Sequence, residues 1–375
     1  MPPARSRPHR AIAFFLGFFA VVLYARTLMG GFVYDDLYYV RDNPAIRHLS
    51  NIPYFFTDPD TGVNHPDQAR MIYRPLATAF FAVENALFET RRPTLFHATS
   101  VVLFLSVFGL LYSLVTLLAD RDETPAVFAA TLVVVHPIAV ESVAWISAQP
   151  TVLCAALMLA GLGAYLFGGT LPPERRGAFF FAAGGFFVAA MLVKEVALTA
   201  PLIVLAAHRY LKPAYEPRER VWFFAMLTMA SLAVFSLRAG LTGRVAQIAL
   251  YDESPWRHAV LAFGLIPRYL TGLFYPPSLR VFHDAPVWSI PSALVGVAFL
   301  GGLVAAAEAL RARKPVAAFG LVFCLLTYLP SSNLLPHRDA RPTASSSSPS
   351  SVSRSPARTS LGRFLKSNAS RTRYP

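Results

Sequence analysis

Charge is scarce in this chain. Only 15% of its 375 residues are charged, against about a quarter in a soluble domain. Cysteine is nearly missing too: Cys154 and Cys324 are the two, and both fall inside apolar runs. That speaks against a disulfide framework or a thiolate metal site, and it leaves the redox compartment unreadable. The sequence has no glycine-rich phosphate loop, so nothing calls for a nucleotide-sugar fold. It also has no internal repeat of the kind that builds solenoids.

What the chain does have is apolar surface. Hydrophobic residues make up 55% of it, with 30 Phe and a mean hydropathy of +0.46. The reading is an all-α polytopic membrane protein. A net charge of +13 suggests nucleic acid in a soluble protein. Here the basic residues lie between apolar runs and in the tail, so topology and anionic headgroups account for them and the partner is the lipid bilayer, with no nucleic acid expected.

Candidate spans lie near 11–29, 95–118, 125–146, 151–168, 178–193, 196–211, 221–239, 258–275, 291–310 and 315–330. Some fall short of the ~20 residues that a crossing needs. The N-terminus could be a signal peptide, but Val22-Leu23-Tyr24-Ala25 is a poor cleavage site, so an uncleaved signal anchor is expected. Arg5, Arg7 and Arg10 put the N-terminus in the cytoplasm, and the basic loops 172–176 and 208–220 then also fall inside. Arg311-Ala312-Arg313-Lys314 breaks the count unless the run 258–275, with Pro267-Arg268 at its centre, is re-entrant or interfacial. That leaves about nine crossings and keeps Arg280, His283 and Asp284 outside. The chain then divides into 1–29, the basic N-terminus and first helix; 30–94, a long outer loop; 95–336, the multi-span domain; and 337–375, a Ser-rich basic tail expected to be disordered. Within the loop, Phe80, Phe81, Val83, Leu87 and Phe88 can form the apolar face of an interfacial helix.

The loop opens with Gly30-Gly31-Phe32-Val33-Tyr34-Asp35-Asp36. Two adjacent carboxylates just past a span are costly unless they face water or a cavity. The glycines are expected to allow a tight turn. Other polar groups gather at the outer ends of the spans: Arg74 in Tyr73-Arg74-Pro75-Leu76, His136 and Glu141 around Pro137, Gln149-Pro150, and Lys194-Glu195. On one ideal helix His136 and Glu141 would stand about 140° apart. Each cluster has a plain structural explanation, such as a kink or a tight ion pair. Their convergence on one side suits a cavity where a polar head group reacts.

In order, the stretches Gly30 to Asp36, Asn43-Pro44-Ala45-Ile46, Tyr73 to Leu76, His136 to Ser147, Lys194 to Leu202 and Leu329 to Pro336 resemble the transmembrane and tetratricopeptide-repeat O-mannosyltransferase family and its bacterial relatives. The resemblance implies a type C glycosyltransferase fold. It implies a polyprenyl-phosphate sugar donor, a protein or glycan hydroxyl acceptor, and action at the outer, periplasmic or lumenal, face. It makes Asp35 or Asp36 the acidic motif that binds or deprotonates the acceptor. It makes Arg74, His136, Lys194 and Arg268 candidates for the donor phosphate, with Glu141 and Glu195 in supporting or structural roles. A lipid-phosphate leaving group needs cations to stabilise it and a carboxylate base for the acceptor, and in-line attack inverts the sugar. Mg²⁺ or Mn²⁺ at Asp35 and Asp36 would suit the paired carboxylates.

The family pattern continues past Pro336 into further spans and tetratricopeptide repeats, where this chain reads Asp339-Ala340-Arg341-Pro342-Thr343-Ala344-Ser345. Serine codons read one base over give Phe and Leu codons, so a shifted reading frame and a truncated, inactive member are one expectation. A transporter or flippase for a lipid-linked saccharide is the competing class. Transporters show paired repeats and broken helices near mid-membrane, whereas the polar residues here sit at one face.

Overall fold

The structure is a computed structural model that describes residues 7–65, 72–88, 92–243, 254–275 and 289–332. The residues Arg280, His283 and Asp284, the stretch from Asn333 to Pro336 and the tail 337–375 lie outside the described residues.

Within them the chain is wholly helical: α1 Arg7–Tyr24, α2 Ile52–Phe55, α3 Pro75–Phe88, α4 Pro93–Leu118, α5 Thr124–Val135, α6 Ala139–Ala144, α7 Gln149–Gly168, α8 Pro173–Val193, α9 Ala200–Tyr210, α10 Pro217–Thr242, α11 Pro255–Gly264, α12 Ile266–Phe274, α13 Ile290–Leu310 and α14 Pro315–Tyr328. Proline stands first or second in nearly every long helix, from Pro75 in α3 to Pro315 in α14. There its missing N–H costs nothing and its fixed φ favours the first turn.

The helical runs His9–Met29, Pro93–Leu118, Ile146–Gly168, Pro173–Val193, Pro217–Thr242 and Ile290–Leu310 are long and apolar enough to cross a membrane. The chain is a multi-pass membrane protein. The spacing predicts a continuous span over 125–146, but α5 ends at Val135 and α6 resumes at Ala139. Pro137 forces His136 out of the helical region, to φ −72°, ψ 125°. The run 258–275 is two short helices, α11 and α12, each too short to cross alone.

The packing is that of a protein in lipid. The centre is a cluster along α7, α8, α9 and α10, where Tyr165 stacks on Phe223 at 4.3 Å and on Tyr215 at 4.7 Å. Large apolar side chains point outward, among them Phe14, Phe15 and Phe18 on α1 and Phe181 on α8. In water such a surface would drive aggregation; in a bilayer it is the solvated face. Helix α3 shows the same inversion. It turns Ala77, Thr78, Phe81, Ala82 and Asn85 inward and leaves Val83 and Leu87 exposed. Phe81 therefore leaves the expected interfacial face for the core, because it packs with Ile46, Phe55 and Phe96.

Side-chain contacts sort the helix termini into two ends. One end joins Arg10 to Glu123, Tyr165 to His208, Arg176 to Glu219, and Arg209 to Glu308. We call it the basic end. The other joins the loop after α1 to the turns 145–149 and 194–199 and to the last turns of α10.

Candidate active site

The loop after α1 is held by its own asparagines. Buried Asn43 accepts from the Ala45 N–H at 3.0 Å and donates to the Thr61 carbonyl at 3.1 Å, and Asn51 donates to the Ala45 carbonyl at 2.9 Å. Asn85 reaches from α3 to the Ile46 carbonyl at 3.2 Å. A π-helical turn, Leu37–Arg41, follows the acidic pair. The tight turn expected at the glycines lies elsewhere: Tyr34 takes the positive φ of 47°, while Gly30 is extended, at φ −70°, ψ 156°. Gly30 is needed for close approach instead. A Cβ there would stand 2.9 Å from His97 Nε2 and 3.0 Å from the Thr27 carbonyl oxygen.

The two acidic residues are not equivalent. Asp36 is fully buried. Its Oδ1 accepts from the Ser147 N–H at 2.7 Å and the Ser147 hydroxyl at 2.5 Å, and its Oδ2 accepts from the Val33 N–H at 3.0 Å. Three of about four acceptor positions are thereby used. Burial raises the Asp36 carboxyl above its ordinary value, and the bonds from Ser147 and Val33 oppose that shift. Asp35 is half-buried, with no side-chain hydrogen bond among the described residues. Burial first, and the Asp36 charge second, raise its pKa, against a smaller pull from His65.

A divalent cation at the pair would rest mainly on Asp35 and on substrate oxygens. Asp36 is committed to three donors, and no group of three His, Cys, Asp or Glu side chains meets there or elsewhere among the described residues.

Arg74 grips Glu195 with both arms of its fork, Nη2 to Oε1 at 2.6 Å and Nε to Oε2 at 3.0 Å. Arg238 reaches the same carboxylate, Nη1 to Oε2 at 3.2 Å. Burial works against both charges of the Arg74–Glu195 pair. The partners outweigh it, so Arg74 is held above its ordinary value and Glu195 well below. Lys194 donates to the Thr151 hydroxyl at 2.7 Å. Burial first, and Arg74 second, hold its ammonium below the ordinary value, against Glu195 and Glu141. A cavity of about 20 Å³ beside Arg74 is lined by Tyr39, Thr78 and Ser147 among others. It has room for about one water. Tyr39 links Asp35 to this cluster in charge terms: burial first pushes its hydroxyl up to about 12, while Arg74, Asp35 and Glu195 all act on it.

The structure brings together Arg74, Glu195 and Lys194, with exposed Glu141 acting on Lys194, while Asp35 reaches this cluster only through its effect on Tyr39. His136 is engaged elsewhere. His136 accepts from the Ile138 N–H at Nδ1, which leaves Nε2 to donate to the Leu273 carbonyl at 2.7 Å, so the imidazole ties α5 to α12. Arg268 is exposed on α12. Sequence reasoning missed Ser147, His97, Glu84 and Arg238. Glu84, buried on α3, meets Gln149, which also bonds the Phe96 carbonyl at 2.7 Å and Ser100 at 3.1 Å. That network anchors the start of α7, next to the turn that carries Ser147. The signal available for Arg238 was a lone charge near the end of an apolar run.

Human Protein O-mannosyl-transferase TMTC1 is 29% identical to this chain over 185 residues, which cover 47% of the chain and 21% of the relative. The mouse protein of the same name matches at 29% over 185 residues, 47% of the chain and 20% of the relative. The chain is similar to these O-mannosyl-transferases over about half of its own length. It spans about a fifth of the length of the two relatives. No protein-family model matches it, and no solved structure does.

Proposed function

We infer that this chain is a membrane glycosyltransferase that moves a sugar, of the mannose kind, from a polyprenyl-phosphate donor to a hydroxyl of a protein or glycan. The observation that carries the reading is a half-buried carboxylate, Asp35, with no side-chain hydrogen bond among the described residues, on the same end of the bundle as the cations around Glu195. The basic loops at the opposite end support a periplasmic or lumenal position for the site.

The geometry supports the following roles. Asp35 accepts the acceptor's proton as the acceptor oxygen bonds the anomeric carbon. The bond from that carbon to the phosphate oxygen breaks, its electron pair stays on the phosphate, and the leaving group gains one negative charge. Arg74 and Lys194 stabilise that charge. Attack opposite the phosphate inverts the sugar. A carboxyl with a raised pKa is a better base than an ordinary one, which suits Asp35. Asp36 holds the loop on Ser147 and leaves Asp35 free.

The test is transfer of radiolabelled sugar from a polyprenyl-phosphate donor in membranes that express the full chain. Asp35→Asn is expected to lower transfer by about 10²–10⁴-fold, the range for loss of a general base, with thermal unfolding unchanged. Asp36→Asn is expected to lower both transfer and stability. Full transfer by Asp35→Asn would remove Asp35 from the mechanism, and no transfer by the wild type would sink the transferase reading.

A further inference from the structure

We propose that Arg238 completes a three-cation phosphate site with Arg74 and Lys194, and that Glu195 makes to the two guanidiniums the contacts a phosphate would make, so that carboxylate and phosphate compete for one place. The choice of a lipid-linked phosphate as ligand rests on the transferase reading; the cation site itself does not.

The starting point is the placement of Arg238. It stands in the last turns of α10, a helix apolar enough to cross the membrane. A guanidinium there is costly unless it serves a partner. Its partner is Glu195 Oε2, at 3.2 Å, the same oxygen that accepts from Arg74 Nε at 3.0 Å. One carboxylate therefore serves two guanidiniums from helices far apart in sequence. Lys194, its neighbour in the chain, turns to the Thr151 hydroxyl and makes no ion pair among the described residues.

Two guanidiniums share one carboxylate, and the Lys194 ammonium stands beside them on a hydroxyl. The other carboxylate acting on Lys194, Glu141, is exposed. Positive charge gathered away from water calls for an anion. A carboxylate offers two oxygens, whereas a phosphate group offers three and more charge, in the geometry that an arginine fork reads best. The site is also reachable: Arg74 and Glu195 each keep 22% of their side-chain surface open, and Arg238 keeps 24%. A small cavity adjoins Arg74. These features describe a site poised to exchange one anion for another.

The experiment measures binding, independent of transfer. Purified full-length chain in nanodiscs is titrated with a short-chain polyprenyl phosphate, with the uncharged polyprenol as control and inorganic phosphate as second probe. Arg238→Gln is expected to weaken polyprenyl-phosphate binding by about tenfold, and Arg238→Lys to recover most of it. Glu195→Gln, which removes the competing charge and keeps the shape, is expected to strengthen binding by about tenfold. Arg209→Gln, at the basic end, is expected to change nothing. Equal affinity for the two phosphates would make this a free-phosphate site, and tighter binding of the lipid form a lipid-phosphate site; both uphold the proposal. It is overturned if Arg238→Gln binds like wild type while folded by thermal unfolding. It is equally overturned if Glu195→Gln stays folded and binds more weakly. Phosphate-dependent binding without sugar transfer would uphold this site and sink the transferase reading.

Discussion

At the basic end Arg209 meets Glu308 at 2.7 Å with half of the arginine side chain exposed; at the site end Arg74 meets Glu195 at 2.6 Å with about a fifth exposed. The bond lengths are alike and the surroundings are not. Around Glu308 the donors are Arg209, Tyr210 and, at 3.5 Å, Arg311, all at the rim of the bundle. The most buried arginine at that end, Arg176, is fully partnered: Glu219 at 2.8 Å, the Leu171 carbonyl at 2.9 Å and the Tyr215 ring at 5.4 Å. Its charge is spent on those partners. At the site end two guanidiniums share one half-buried carboxylate with Lys194 beside them, and half-buried Asp35 makes no side-chain hydrogen bond among the described residues. Charge at the site end is in excess of what the fold needs, and excess charge held out of water is how a binding site differs from a scaffold.

The comparison is broken most sharply at Arg74. Arg74→Ala removes one guanidinium from a half-buried carboxylate that still keeps Arg238. A loss of about 2–3 kcal/mol is expected, at the lower edge of the range for breaking a buried pair. Thermal or denaturant unfolding in detergent measures it. A loss as small as that of a surface pair would mean that the site end is no drier than the basic end.

A second test uses pH. Burial first pushes Glu84 up, from 4.5 to about 8, against the hydrogen bonds from Thr99 and Gln149. The sign is as follows. Between those values the unfolded chain gives up the proton and the folded chain keeps it, so rising pH favours unfolding. Glu84's contribution is whole below about pH 4.5 and gone above about pH 8, with a slope near 1.4 kcal/mol per pH unit between. Unfolding of the wild type measured from pH 5 to 9 is expected to show that decline, and Glu84→Gln to flatten it. An unchanged decline in Glu84→Gln would assign the titration to another group.

Much of the site was readable because charged residues in an apolar chain are conspicuous, and the basic loops fixed which of them share a side. Arg74, Lys194 and Glu195 do meet, across 121 residues in the case of Arg74 and Glu195. What the sequence could not carry is which oxygen is already spoken for. Asp35 and Asp36 are neighbours of one residue type, and only the Ser147 turn, 111 residues away from Asp36, separates their roles. Arg238 drew no reading from the sequence; only its place beside Glu195 singles it out. His136 looked like a ligand because histidine often is one, yet its Nε2 joins α5 to α12 and its Nδ1 accepts from the Ile138 N–H. Gly30 was read as a turn and turned out to be a gap for the His97 ring. The helix count was hardest, since Pro137 divides the run 125–146, which looks continuous by hydropathy alone.

The smallest effect is expected at the basic end, and it calibrates the rest. Arg209→Ala removes a guanidinium that is half exposed and whose partner keeps Tyr210 at 2.6 Å and Arg311 nearby. Exposed pairs of this kind contribute about 0–1 kcal/mol, and salt screens them further. Unfolding in detergent at low and high salt should show a shift within that range that shrinks as salt is added, while Arg74→Ala should respond weakly to salt because its pair is shielded from solvent. Equal salt sensitivity of the two variants would mean that ions reach both ends alike. The cation cluster would then need no ligand to neutralise it, because the solvent would already do so.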